Sequence, residues 1–64
     1  MDILKELIQE RKMRYKSQEK VALYLGITTV TLNRYETGRR EIPFNILLKY
    51  AEYLDYEVRI LKKG

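Results

Sequence analysis

Residues 18–36, Gln-Glu-Lys-Val-Ala-Leu-Tyr-Leu-Gly-Ile-Thr-Thr-Val-Thr-Leu-Asn-Arg-Tyr-Glu, leave this chain little choice of local structure. Val21, Ala22 and Leu25 fall on one face at helical spacing, and Leu32 and Tyr35 fall on another shortly after. Gly26 stands just past the first face, where a residue in the left-handed region ends a helix without a Cβ clash. Thr28 then offers a side chain suited to capping the next helix. A turn this short makes the two helices cross steeply. Ala22 lies where they touch, and a larger side chain would push them apart. Each position alone is a weak signal, but the joint spacing is a strong one.

Composition narrows what can be built around that pair. The chain has 64 residues, one domain over 1–64, near the lower limit for a core without disulfides or metals. It has no cysteine and no histidine, which excludes disulfide staples, zinc fingers and the commonest general base. Asp2 and Asp55 are its two aspartates, and it shows neither a glycine-rich phosphate loop nor metal-ligand spacing. An enzyme is therefore the weakest reading, and no cofactor or metal is expected. No apolar run approaches the length of a membrane span, and Met1-Asp2-Ile3-Leu4-Lys5 lacks the order of a signal peptide. A soluble cytoplasmic domain is the expectation. The net charge is +4, and residues 1–40 carry all of it, with nine Lys/Arg against five acids; residues 41–64 balance. The excess on the half that holds the helix pair favours a polyanionic partner.

Along the chain, residues 2 to about 13 read as an amphipathic helix with Ile3, Leu4, Leu7, Ile8 and Arg11 on one side and Asp2 as its cap. Arg14-Tyr15-Lys16 forms a basic connector, and Ser17 can cap a helix over 18–25. The next helix covers roughly 29–35, and the loop 37–43 is punctuated by Gly38 and Pro43. A last helix runs to about residue 54, with Ile46, Leu47, Tyr50, Ala51 and Leu54 inward. Tyr35 and Tyr50 belong to the core by spacing, whereas Tyr24 and Tyr53 lie off the apolar faces, at an interface or in ordinary surface packing. Over 56–61 the period changes: Tyr56, Val58 and Ile60 alternate with Glu57, Arg59 and Leu61, as in a short strand. A lone strand must pair, and the same strand of a second copy across a two-fold axis is the available mate. Continuation of the helix or irregular packing is the alternative.

With those residues in place, the chain resembles the lambda-repressor-like, Cro-type helix-turn-helix family, also called the XRE family. The matching pattern is Arg11, Ser17-Gln18, Ala22, Gly26-Ile27-Thr28, Leu32 and Glu36-Thr37-Gly38-Arg39, and it covers residues 3 to about 54. The resemblance implies a compact all-α domain of four to five helices, with the helix-turn-helix at 18–37. The strand-like tail departs from all-helical repressor domains and is similar to Cro-type proteins or antitoxins of the family.

Carried over by position, the resemblance implies that Thr29, Val30, Asn33 and Arg34 contact bases. Arg34 would grip guanine in bidentate fashion, Asn33 would meet adenine or phosphate, and Val30 a thymine methyl. Ser17, Gln18, Thr28, Thr37, Arg39 and Arg40 are the implied phosphate contacts, with Thr37 standing where asparagine is usual. Arg11 and Glu36 match a partly buried ion pair, and Tyr56, Val58 and Ile60 are the candidate dimerisation residues. Gln18, Thr28 and Thr31 also have a plainer role as helix caps, and Arg39 and Arg40 as solvated loop charges. The expected function is a dimeric, sequence-specific regulator of transcription that binds double-stranded DNA and represses from a palindromic operator. Alternatives on the same fold are an antitoxin, which would bind a toxin protein and repress its own operon, and a protein- or RNA-interaction module.

Overall fold

Side-chain caps fix where three of the four helices begin in the computed structural model, which describes residues 2–58. The Asp2 carboxylate accepts the Leu4 and Lys5 amides at 3.0 and 3.4 Å and starts α1 (Ile3–Met13). Ser17 Oγ accepts the Lys20 amide at 3.2 Å and starts α2 (Gln18–Leu25). Thr28 Oγ1 accepts the Thr31 amide at 3.1 Å and starts α3 (Thr29–Glu36). These oxygens satisfy amides that have no partner inside the helix. Before α4 (Phe44–Tyr53) stands Pro43, which has no side-chain cap but whose ring pre-sets the chain direction.

All four helices stop in the same way. Just past each C-terminus, at the capping residue itself in α2 and one residue beyond the cap in α1, α3 and α4, a residue turns left-handed, and its amide and the next fold back onto the last turn. Tyr15 (φ 56°), Gly26 (72°), Gly38 (77°) and Asp55 (60°) hold these positions. The returning bonds run from Lys16 to the Arg11 carbonyl (3.0 Å), Ile27 to Ala22 (3.0 Å), Arg39 to Arg34 (3.0 Å) and Tyr56 to Ala51 (2.8 Å). α3 therefore reaches Glu36, one residue past its expected end, and α4 stops at Tyr53 with Leu54 as its cap.

The core is Leu7, Val21, Ala22, Leu25, Leu32, Tyr50, Ala51 and Leu54. α2 packs against α3 and α4, and α1 lies across α3 and α4. Ala22 is buried on α2, the helix that packs against both α3 and α4. Leu7, Leu32 and Leu54 have no exposed surface, and burial of each contributes about 1.5–3 kcal/mol. On α1, Leu7 and Arg11 are buried and Leu4 and Ile8 half-buried, while Ile3 stays at the edge. Tyr24 and Tyr53 pack on each other, ring centroids 5.1 Å apart and planes tilted 54°.

The expected strand does not form in its described part. Residues 56–58 are irregular: Val58 packs against the core and Tyr56 and Glu57 lie beside Ile3 and Glu6 of α1. Alternation alone gives no ladder partner within the chain; Val58 is half-buried against the core instead, while Tyr56 stays exposed. Ile60 and the rest of that stretch, 59–61, lie outside the described residues. No helix among the described residues is long and apolar enough to cross a membrane.

Candidate nucleic-acid interface

Where α1, α2 and α3 converge, a polar cluster closes around the Glu36 carboxylate. Arg11 meets it with two bonds, Nη2 to Oε1 at 2.8 Å and Nε to Oε2 at 3.0 Å. Tyr50 donates its hydroxyl to Oε2 at 2.7 Å, and Gln18 Nε2 donates to Oε1 at 2.9 Å. Arg11 also donates to the Tyr50 oxygen (3.1 Å) and, through Nη1, to the Lys16 carbonyl (2.9 Å). Both ion-pair side chains are nearly covered, at 8% and 5% exposure. Among the described residues no buried side-chain polar atom lacks a partner, and this completeness makes a buried pair tolerable.

Electrostatics follow from that geometry. Burial works against the charge on Glu36, but the bonds from Arg11, Tyr50 and Gln18 outweigh it and hold the carboxyl below its ordinary range. Burial likewise opposes the Arg11 charge, and the Glu36 carboxylate more than compensates, leaving the guanidinium above its ordinary range. Tyr50 is pushed up by burial and then by the adjacent carboxylate, so its phenol stays a donor.

This cluster positions the surface above it. Arg11 ties the turn before α2 to the end of α3, and Gln18 ties the first turn of α2 to the same carboxylate. The N-terminus of α2 and the loop after α3 thus lie side by side at one edge. On α3, Leu32 and Tyr35 are buried; Val30, Asn33 and Arg34 are exposed and Thr29 half-buried. Arg39 and Arg40 are exposed just beyond, their amides bonded to the Arg34 carbonyl at 3.0 and 3.2 Å.

The candidate phosphate contacts differ in what they have left to donate. Phosphate oxygens accept hydrogen bonds, so a contact needs a proton. Ser17 accepts with its oxygen and keeps its hydroxyl proton. Gln18 has one of its two amide protons on Glu36 and one remaining. Thr28 directs its hydroxyl to Thr31 Oγ1 at 2.9 Å. Thr37 commits its single proton to the Asn33 carbonyl at 2.9 Å, a bond it would have to release to reach a phosphate. Arg14 of the basic connector is paired with Glu10 of α1 at 2.8 Å.

Sequence reasoning missed two residues here. Tyr50 reads as core, and its hydroxyl's part in the cluster does not show in spacing; the available signal is that a buried tyrosine needs a partner. Tyr15 reads as connector, with no hint of its left-handed backbone.

Comparison with known proteins adds one finding. A family model described as helix-turn-helix matches residues 7–61, nearly the whole chain. No curated protein and no solved structure matches it.

Proposed function

Because the chain belongs to the lambda-repressor-like, Cro-type helix-turn-helix family, a family of DNA-binding regulators, we propose that it is a sequence-specific repressor that reads a palindromic operator as a homodimer. The observation that carries this reading is the outer side of α3, where Val30, Asn33 and Arg34 stand exposed on a helix whose opposite side is buried. Arg34 would read guanine, Asn33 adenine or phosphate, and Val30 and Thr29 would add contacts in the major groove. Ser17 and Gln18, with the α2 amides behind them, would hold one phosphate run, and Arg39 and Arg40 another. No catalytic step enters this reading.

Dimerisation follows from scale. One short recognition helix offers few base contacts, and two of them about one DNA turn, ~34 Å, apart supply useful specificity. Phe44 and Leu48 lie one turn apart on α4 and remain 50% and 38% exposed, and Tyr56 is 41% exposed near the chain's last described residues. These apolar side chains are the surface a second copy would cover. Selection from random duplex DNA tests the reading, with an inverted repeat as the expected logo. A logo without sequence preference overturns specific readout, and sedimentation showing monomers both free and on DNA overturns the dimer.

A further inference from the structure

Tyr15 is out of place where it stands. Of the four left-handed residues that end helices, two are glycines and one is aspartate, which tolerates that backbone; the fourth is Tyr15, at φ 56°. Its ring gains nothing from packing, since the residue is 95% exposed. The turn that holds it is well made, with its own amide on the Lys12 carbonyl (3.1 Å) and the Lys16 amide on the Arg11 carbonyl (3.0 Å). Arg11 also grips the Lys16 carbonyl from below at 2.9 Å. A large aromatic is therefore fixed in a costly conformation and held out into solvent.

Its surroundings indicate what it meets. Lys12 and Lys16 are exposed within three residues of it along the chain, Lys20 is exposed in the first turn of α2, and Ser17 follows with a free hydroxyl proton. Through Arg11 and Glu36 the same turn is locked to the end of α3, next to Arg39 and Arg40. We propose that Tyr15 is a DNA-backbone contact at the edge of each half-site, its hydroxyl donating to a phosphate and its ring lying against the adjacent deoxyribose, between the lysines that neutralise the flanking phosphates. This rests on the DNA-binding reading above and adds to it a residue that neither the helix spacing nor the family pattern assigns. Tyr15 contributes affinity without sequence preference, since phosphate and sugar carry no base identity.

The test separates folding from binding. In Tyr15→Gly the backbone is relieved, so the melting temperature should hold or rise by up to ~4–8 °C. The same variant should bind duplex DNA about fivefold more weakly, as expected for one lost hydrogen bond with its contact. The loss should be equal on the selected site and on unrelated duplex. Its salt slope should match the wild type because no charge is removed, whereas Lys16→Ala should flatten the slope by ~0.9. Tyr15→Phe should lose the hydroxyl's share and keep the ring's. If the wild type binds duplex and Tyr15→Gly binds equally well, or if the variant alters self-association and leaves DNA affinity alone, the proposal is overturned. A wild type that binds no duplex at all overturns the DNA-binding reading itself.

Discussion

The inner and outer sides of α3 differ in how completely their polar groups are satisfied. On the inner side Glu36 accepts from Arg11 twice, from Tyr50 and from Gln18, and it is almost sealed from water. On the outer side, Asn33 and Arg34 have no side-chain partner among the described residues and face solvent. A fully bonded carboxylate fixes the helix in place, and the fixed helix can then present groups whose bonds await an outside partner. Stability and recognition are thus divided between two sides of one short element. Substitutions on the inner side should cost folding, and those on the outer side should cost binding.

The largest expected effect is on the inner side. Glu36→Ala removes the carboxylate but leaves the Arg11 guanidinium buried without its counter-charge, a loss of ~3–5 kcal/mol. For a domain this small that is much of the total stability. Urea unfolding should therefore find Glu36→Ala largely unfolded at ordinary temperature. A loss below about 1 kcal/mol would place the pair in water and erase the contrast between the two sides.

Tyr50→Phe should come next, at ~1.5–3 kcal/mol for a hydrogen bond to a charged group. It also carries a pH signature. A carboxyl held below its ordinary range contributes stability above its unfolded pKa and loses it as pH falls through the folded value. Without the Tyr50 hydroxyl, the folded value of Glu36 rises toward the ordinary range. Acid unfolding of Tyr50→Phe should begin at higher pH than in the wild type, and coincident acid transitions would show that the hydroxyl does not stabilise the charge.

On the outer side, Arg34→Ala should leave unfolding within about 0.5 kcal/mol of the wild type. At the preferred site it should cost ~1–3 kcal/mol of binding and relax the preference at one base pair in each half-site. A guanidinium presents two parallel donors to the guanine edge, which alanine cannot replace and lysine cannot imitate. An unchanged sequence logo would move the readout to Thr29, Val30 or Asn33.

The sequence makes this division legible to different depths. Helix starts are plain, because Asp2, Ser17 and Thr28 carry the right oxygen at the right place. The Gly26 and Gly38 stops are plain for the converse reason, being residues that enter the left-handed region freely. Arg11 and Glu36 are recognisable through the family pattern, but Tyr50 is not, since a core position predicts burial and says nothing of where a hydroxyl points. Tyr15 is hidden because its left-handed backbone sits in a turn gripped by Arg11, itself held by the distant Glu36, against the local preference of a tyrosine. The strand expected over 56–61 illustrates the same limit, because alternation cannot say whether a ladder partner exists, and Val58 found α1 and the core instead.

The smallest effect belongs to the loop beyond α3 and sharpens the outer side into two zones. Arg40 is exposed, and its amide is held by the Arg34 carbonyl at 3.2 Å, so its backbone is fixed while its side chain is free to follow a phosphate. Arg40→Ala should leave folding unchanged and weaken binding to every duplex by a similar factor. Each phosphate neutralised releases counterions, so the plot of log affinity against log salt should lose ~0.9 of its slope. Affinities of the variant measured across a salt series, on the selected site and on an unrelated duplex, check both points. If the slope holds and the preferred sequence shifts, Arg40 reads a base, and the recognition zone extends past the end of α3 into the loop that Gly38 opens.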